Sequence, residues 1–180
     1  IQAFAYNPNL RTINIPNSVM SLGAGIVHAC PKLEQITGKY TSDDGRCLIT
    51  DGILNSFAPA NLTEYTLPKD VTIIGSMAFS DNFTELKTVH LPEGLVTIAD
   101  RAFRYSGLET ITFPSTLKYL YAEAFYGSNA LKNIYCKSLF PPAFVGCDDR
   151  WETVFGDIHP NAVIYVPEKQ VEQYKREWPW

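Results

Sequence analysis

The sequence has few of the residues from which catalytic and metal sites are built. Its three histidines, His28, His90 and His159, have no cysteine, aspartate or histidine at zinc-like spacing. It lacks Cys-x-x-Cys, Gly-x-Ser-x-Gly and P-loop motifs, and Gly23-Ala24-Gly25 lacks the third glycine of a dinucleotide fingerprint. The sequence therefore predicts a protein that is not an enzyme and that needs no cofactor or metal.

Positive charge is scarce and scattered. The 180-residue chain has 15 Lys and Arg against 19 Asp and Glu, for a formal net charge of −4, and no basic cluster. This balance argues against nucleic acid and anionic membrane surfaces as partners. No apolar run approaches the about 20 residues that a transmembrane helix needs. A hydrophobic content of 46% is ample for one core, so residues 1–180 are predicted to form a single domain.

Cysteine is also sparse, and the four cysteines do not form the framework of a small disulfide-rich domain. Cys136 takes a repeat position that Leu91 and Phe113 hold elsewhere, so we expect its side chain in the core. A bridge between Cys136 and Cys147 stays open, although no spacing rule supports it. Asp43-Asp44-Gly45 could attract a cation, but it does not match an EF-hand loop and is better explained by turn chemistry.

What the sequence has in abundance is a repeated phrase, Leu-x-x-Ile-x-apolar-Pro. The shortest interval between its leading leucines is 22 residues, from Leu86 to Leu108, and the longest is 29, from Leu33 to Leu62. An Ala-Phe pair follows the proline in three repeats, as Ala78-Phe79, Ala102-Phe103 and Ala124-Phe125, whereas Ile26-Val27 stand there in the second coil. Such a period predicts a solenoid of stacked coils, because one coil cannot bury its own apolar side. The leading leucines are Leu10, Leu33, Leu62, Leu86, Leu108 and Leu131.

Each coil is predicted to have two halves. The leucine phrase indicates a short parallel strand that ends at a proline, which has no N–H to donate to a sheet. The Ala-Phe pair indicates a short helical or 3₁₀ turn on the opposite side. The sequence thus predicts an α/β leucine-rich-repeat solenoid over residues 1–137, with strands on one face and turns on the other.

One coil, at about residues 39–68, departs from the pattern. Its Asp51-Gly52 pair lies between two β-prone runs, which is a strong hairpin signal because both turn positions need a positive φ. We expect a β-hairpin to replace the helical half of this coil. The hairpin is either an insertion tolerated on the outer face or a contact site for a partner, and the sequence leaves both open.

Residues 138–180 no longer follow the repeat and are predicted to be a capping segment. Val171, Tyr174 and Trp178 fall at i, i+3 and i+7, which indicates an amphipathic helix beginning at Glu168. A terminal coil needs such a cover, so the aromatic residues here are either cap core or a ligand platform. The first coil has no cap, which predicts either self-association through that coil or high mobility there.

Two combined phrases carry a resemblance to a known family. Pro-x-x-Leu/Val-x-x-Ile-Gly-x-x-Ala-Phe followed by Leu-x-x-Ile-x-Leu-Pro resembles the BspA-like leucine-rich repeats of bacterial surface proteins, over residues 1–137. The stretch 42–49, continuing through 57–60, resembles the hairpin-bearing repeat of such proteins, and 164–178 is similar to their closing segment.

The resemblance implies secretion or cell-surface display, protein binding or adhesion, and no catalytic residues. Gly38 departs from the family pattern, since it stands where the strand's final apolar residue is expected. Together with Ile26-Val27, it is expected to weaken the second coil locally.

Strand alternation leaves one polar face that the core does not use. Two explanations of this stripe remain open. In one, its threonines serve only strand formation, through their β-propensity and cross-strand contacts. In the other, the stripe is a recognition surface, which solenoid curvature would make concave. Beside it, residues of alternating charge, from Arg11 and Glu34 to Lys87 and Glu109, are predicted to pair between coils. The candidate partner-binding residues are Thr88, His90, Thr110, Thr112, Asn133 and Tyr135.

Three functions remain open at this point. The first is a surface or secreted binding protein that recognises a host or neighbouring-cell protein, for example of the extracellular matrix, through the polar stripe. The second is a glycan-binding module that stacks sugars on exposed aromatics near the cap, such as Tyr135, Trp151 or Trp180. The third is a structural spacer that presents an upstream domain.

Overall fold

The computed structural model describes residues 2–81, 85–146 and 151–178, of which residues 151 and 152 are described by their backbone alone. The chain winds into a parallel β-solenoid that ends in a short helix, as the repeat predicts. None of these residues belongs to a helix long and apolar enough to cross a bilayer. In chain order the strands are β1 (Thr12–Ile15), β2 (Gln35–Gly38), β3 (Cys47–Thr50), β4 (Ile53–Phe57), β5 (Glu64–Thr66), β6 (Ile73–Ile74), β7 (Thr88–His90), β8 (Thr97–Ile98), β9 (Thr110–Phe113), β10 (Tyr119–Tyr121), β11 (Asn133–Cys136), β12 (Ala143–Val145) and β13 (Val163–Tyr165).

The strands form three sheets. The leucine phrases build a front sheet in the order β13-β11-β9-β7-β5, and β1 pairs with β2 in a separate N-terminal sheet. A back sheet, β12-β10-β8-β6-β4-β3, was not predicted. Its strands are mostly two or three residues long, as in the pairing of Ile74 with Ile98, which is too short for an alternation pattern to reveal.

The Ala-Phe pairs lie in turns, where helical or 3₁₀ turns were expected. The backbone N–H of Phe103 bonds to the carbonyl oxygen of Ala124 in the next coil at 2.8 Å, so it is not available for bonding within its own coil. Arg101 and Glu123, two residues before their phenylalanines, have φ of +56°, which no helix contains. The turn side is therefore a third ladder of bonds between coils.

Phenylalanine rings form a continuous column through the core. Ring centroids lie 4.7 Å apart for Phe57 and Phe79, 4.7 Å for Phe79 and Phe103, and 5.2 Å for Phe103 and Phe125. Phe155 of helix α1 (Trp151–Phe155) continues the column at 5.3 Å. Each of these rings is at most 2% exposed, so the Ala-Phe register predicted from the sequence is confirmed.

Replacing Phe103 by alanine is expected to lower the free energy of unfolding by about 3–5 kcal/mol, because it removes a buried ring and leaves a cavity between two stacked neighbours. Urea melts would measure the loss. Phe140→Ala is the matched control, since Phe140 is 66% exposed and should change stability by less than about 0.5 kcal/mol. Similar losses for the two variants would place Phe103 outside the core.

The hairpin is an integral layer of the solenoid. β3 and β4 pair antiparallel around Asp51 and Gly52, whose φ angles of +51° and +76° are those that a two-residue turn needs. β4 then pairs parallel with β6, so it is a strand of the back sheet, and Phe57 supplies the first ring of the column. The alternative that the hairpin is an insertion tolerated on the outer face is therefore wrong.

The hairpin also joins two hydrophobic clusters. Leu48 of β3 packs with the N-terminal coils, in a cluster that includes Ile26 and Val27, whereas its neighbour Cys47 packs with the main core. Consecutive strand residues point to opposite faces, so one short strand serves both clusters. The apolar role predicted for Ile26-Val27 is confirmed, with exposures of 7% and 1%.

Gly38 has a structural reason to depart from the repeat. It pairs with Ile15 at the end of β2, has a φ of +94°, and a Cβ placed on it would lie 2.1 Å from the Ile15 carbonyl oxygen. No side chain fits between these two backbones. Glycine at this position therefore permits the contact between the first two coils.

Gly38→Ala is expected to destabilise the protein by about 1–3 kcal/mol more than Gly94→Ala, because the added carbon overpacks the contact with Ile15. Gly94 is the matched control, since its φ is +113° but nothing lies within 4 Å of a Cβ there. Urea melts of both variants isolate the clash from the cost of a positive φ. Equal losses of stability in the two variants would show that the first two coils can move apart to accommodate the added carbon without cost.

The C-terminal helix caps the main core. Helix α2 (Val171–Glu177) follows a 3₁₀ turn at Glu168–Gln170, so it begins three residues later than predicted. Tyr174 and Trp178 are each 1% exposed, which confirms them as cap core. The Tyr174 hydroxyl donates to the Ser138 carbonyl oxygen at 3.0 Å.

Candidate functional site on the front sheet

The six candidate residues lie side by side on the outer surface of the front sheet, hereafter the front face. Thr88 pairs with Thr110, which pairs with Asn133, and Thr112 pairs with Tyr135. Tyr135 is 39% exposed, and the threonines and Asn133 are half-buried beside their neighbours. The structure therefore brings together every candidate residue in a patch that crosses three adjacent strands.

The front face ends at the cap in a pair of stacked tyrosines. The rings of Tyr135 and Tyr165 lie 4.5 Å apart and 12° from parallel, and Tyr165 is 44% exposed. Tyr165 is not among the candidates predicted from the sequence, although the alternation of Val163-Ile164-Tyr165 matches that of Asn133-Ile134-Tyr135 and is the signal that indicates it. A shallow groove of about 530 Å³ adjoins the pair, lined by Thr112, Tyr135, Cys136, Lys137, Tyr165, Val166 and Pro167.

Lys137 gives the groove its positive charge. Its ammonium nitrogen lies 3.1 Å from a carboxylate oxygen of Glu93, and hydrogen bonds from Lys137 and Ser115 lower the pKa of that carboxyl. The other lining residues are uncharged, and most of the lining surface is aromatic or aliphatic. The groove is thus mainly apolar, with the ammonium group of Lys137 at its rim.

The opposite end of the front face is acidic. The exposed side chain of His90 has its Nε2 atom 3.6 Å from a Glu64 carboxylate oxygen, too far for a normal hydrogen bond. Beyond β5 a notch of about 650 Å³ opens between the front sheet and the hairpin. Its lining includes four carboxylates, which are Asp43, Asp44, Asp51 and Asp70.

Turn chemistry accounts for Asp44. One carboxylate oxygen accepts from the Ser42 hydroxyl at 2.6 Å and from the Arg46 backbone N–H at 3.0 Å, and the other accepts from the Tyr65 hydroxyl at 2.7 Å. Partial burial acts to raise the pKa of Asp44, but these three bonds together lower it below its ordinary value. Asp44 therefore ties the loop before β3 to the edge strand of the front sheet.

Asp44→Asn keeps the shape of the side chain but removes its charge, so it is expected to cost about 1 kcal/mol or less at pH 7 after solvent screening. Because the folded pKa lies below the unfolded one, the contribution is complete above about pH 5 and is lost as the pH falls through the folded value. Thermal melts at pH 7 and near pH 2 should show the difference from wild type disappear in acid. Asp43→Asn is the control, since Asp43 makes none of these three bonds; a deficit that persists in acid would contradict the assignment.

The charged residues beside the front face pair between coils in part. Arg11 pairs with Glu34, and a carboxylate oxygen of Glu109 lies 3.5 Å from the Lys87 ammonium. All four side chains are exposed, so each pair is expected to contribute about 0.2–1 kcal/mol at most. These pairs support the register of the coils without forming a binding site.

The cysteines of the described residues are packing residues. Cys30, Cys47 and Cys136 are buried free thiols, as expected for Cys136. Burial raises the pKa of Cys47 and of Cys136 to about 12, so both remain protonated and unreactive near neutral pH. A bridge from Cys136 would need Cys147, which lies outside the described residues.

No catalytic constellation is visible in the described parts of the chain. His28 is buried with its Nδ1 atom 3.0 Å from the Gly25 carbonyl oxygen, and His90 stands on the open front face. Among residues 2–81, 85–146 and 151–178, no group of three or more His, Cys, Asp or Glu suits a metal ion. Of the candidate sugar-stacking tryptophans, Trp180 lies outside the described residues, and at Trp151 only the backbone is described.

Comparison with known families identifies the repeat. The model of the BspA type leucine rich repeat region matches six copies, over residues 1–43 and 54–147. The chain belongs to this family. The internal gap in the match falls on residues 44–53, which include β3 and the hairpin turn, and residues 148–180 also lie outside the match. A search of curated proteins gives no match.

Three solved structures share the fold. A leucine-rich repeat protein from Eubacterium ventriosum is 22% identical with a TM-score of 0.58, and covers 86% of this chain and 41% of its own. The pneumococcal vaccine antigen PcpA is 18% identical with a TM-score of 0.63, over 99% and 56%. A leucine rich cell surface protein from Faecalibacterium prausnitzii is 23% identical with a TM-score of 0.50, over 74% and 41%. The chain thus spans about half of each of these proteins.

Proposed function

We propose that this chain is a non-enzymatic surface or secreted repeat protein that binds a macromolecular partner through its front face. The partner class that fits best is a protein of a host or neighbouring cell, for example of the extracellular matrix. The observation that carries the proposal is the front face itself, where Thr88, Thr110 and Asn133 lie in register on successive strands.

The chemistry of the face suits a protein partner. Its central side chains are short, polar and uncharged, so covering them costs little side-chain entropy and leaves no buried charge unpaired. A sheet surface crossing several strands is broad and open, as a macromolecular contact requires, whereas small molecules are usually held in enclosed pockets. The acidic notch at one end and Tyr135 with Tyr165 at the other give the face a polarity, which would orient a partner.

Display outside the cell is supported by family membership and by similarity to the F. prausnitzii protein, which is described as a cell surface protein. Three protonated, buried thiols are compatible with that environment, because inaccessible thiols oxidise slowly. The open setting of His90 supports the absence of catalysis, since an imidazole exposed on a sheet has no enclosed site in which to act.

A specific observation favours a second candidate, glycan binding. Tyr135 and Tyr165 expose aromatic surface beside a groove of about 530 Å³, which is large enough for one or two sugar rings. In that case the binding energy would come from the tyrosine pair, and the central threonines would contribute little. A spacer function predicts that neither region binds anything.

The test is a binding screen against extracellular-matrix proteins and a glycan array with one preparation of the protein. Thr110→Arg places a long cation in the middle of the front face, outside the aromatic groove, and is expected to weaken binding of a protein partner at least tenfold, about 1.4 kcal/mol. Tyr119→Arg is the matched control, because Tyr119 is also an outward strand residue, 43% exposed, but lies on the back sheet. Equal effects of the two variants would remove the front face as the binding surface.

The same screen distinguishes the glycan candidate. Tyr165→Ala should then abolish array signals that Tyr119→Ala preserves, since the two tyrosines are 44% and 43% exposed on opposite sheets. Glycan signals that Tyr165→Ala abolishes and Thr110→Arg leaves unchanged would replace protein binding by glycan binding. Absence of all binding by the folded protein would favour the spacer.

A further inference from the structure

The sheet edges near the hairpin are protected. At β3, the edge of the back sheet, the Ile49 N–H bonds to the Tyr40 carbonyl oxygen at 2.8 Å. At β2 the Ile36 N–H bonds to the Gly45 carbonyl oxygen at 2.7 Å. The edge strand β5 carries the exposed charge of Glu64 and is tied by Tyr65 to Asp44. Covering segments and charges are the usual means by which proteins prevent edge strands from pairing with other chains.

The two sheets end differently at the cap. Trp178 covers the last strand of the back sheet, because its ring stacks on Phe144 at 5.2 Å and its indole N–H donates to the Pro142 carbonyl oxygen at 3.0 Å. In the described part of the chain no strand or helix pairs with the outer edge of β13, the last strand of the front sheet. The chain continues through α2, but that helix lies against residues 138–144. Among the described residues, β13 is therefore an open edge.

The open edge is apolar and well suited to pairing. Residues 162–166, Ala-Val-Ile-Tyr-Val, contain no charge, and Val163 and Tyr165 are 47% and 44% exposed. Ile164 remains half-buried, whereas the corresponding Ile134 of β11 is fully buried. The strand has neither the lysine nor the bulge that would discourage a second strand.

The backbone of β13 defines the register of that second strand. The Val163 N–H bonds inward to the Lys132 carbonyl oxygen at 2.8 Å, so by alternation the N–H groups of Ile164 and Val166 point outward. An antiparallel copy centred on Ile164 would exchange two hydrogen bonds between the two Ile164 residues. It would also place Val163 opposite Tyr165 of the second copy on the front face, an aromatic and β-branched pair that is favourable across strands.

We propose that β13 pairs antiparallel with β13 of a second copy of this chain, around a two-fold axis at Ile164. The segment is self-complementary, because Val163 of each copy faces Tyr165 of the other across the two-fold axis. The edge of β1 is also open among the described residues, but there the outward residues Thr12 and Asn14 are polar and exposed. Pairing at β13 joins two front sheets into one continuous sheet, and it requires no ligand on the front face.

The association is expected to be weak. An edge of so few residues buries much less than the about 1,600 Å² of a standard stable interface, so the dimer should form at high micromolar concentration. Sedimentation velocity over a concentration series measures it directly. In the same series, hydrogen exchange should slow with concentration at the amides of Ile164 and Val166, whereas Val163 and Tyr165 are already bonded within one chain.

V163K/Y165K is expected to weaken the dimer at least about tenfold, because it places lysines opposite each other across the axis. The matched control, T12K/N14K, puts the same charges on the outward positions of β1 and should leave the dimer unchanged. Both variants alter exposed side chains, and thermal melts would show that each remains folded. Dimerisation that survives V163K/Y165K, or that T12K/N14K abolishes, would overturn the proposal, the latter in favour of association through the first coil.

A third variant tests the register. V163K/Y165E sets the introduced lysine of one copy opposite the introduced glutamate of the other, so its dimer should be tighter than that of V163K/Y165K although weaker than that of the wild type. Equal affinities for the two double variants would exclude the antiparallel register centred on Ile164. A strictly monomeric wild type, with exchange at Ile164 and Val166 independent of concentration, would exclude the dimer itself.

Discussion

The stacking of each coil on the next is the constraint on which the rest of this structure depends. A coil of 22 to 24 residues is too small to enclose a core, so Phe79 or Phe103 is buried only because neighbouring coils lie above and below it. The same contact satisfies the backbone, because neighbouring coils exchange N–H···O=C hydrogen bonds on the front sheet, the back sheet and the turn side. A substitution that disrupts packing in one coil therefore also destabilises the two coils stacked on it.

This constraint explains why so much of the fold could be predicted from the sequence. A side chain that must meet its equivalent one coil away has to recur at the coil period, so the buried column and the front strands are written as a repeat. The back sheet escaped notice because Thr97-Ile98 is too short to display alternation. Gly38 departs from the repeat because the Ile15 carbonyl oxygen occupies the space that a side chain would need. A steric contact between two backbones distant in sequence does not recur at the coil period, so a repeat pattern in the sequence does not predict it.

The candidate binding face was less predictable for the same reason. Outward residues on the front sheet meet no packing requirement, so Thr110 and Thr112 are compatible with recognition and with β-propensity alone. The alternation places all six candidate residues on the front face, as the register of the strands shows, yet it names no ligand. The leucine phrase ends at residue 137, so it gives no outward position for Tyr165, although β13 continues the front sheet. The physical limit is that packing restricts the buried half of each strand and leaves the outer half to selection by a partner.

A solenoid whose coils share their bonds cannot satisfy its last strand internally, so the two ends of each sheet must be covered, charged or shared. The cap resolves this for the back sheet through Trp178 but leaves Tyr165 at an open edge. Tyr165 consequently belongs both to the aromatic groove and to the edge strand. A ligand stacked on that ring would compete with edge pairing, whereas a partner held by Thr88 and Thr110 would not. A dimer would instead present two copies of the central face and raise the avidity for a repetitive surface. Where a partner binds along the front face therefore decides whether association at β13 opposes or reinforces that binding.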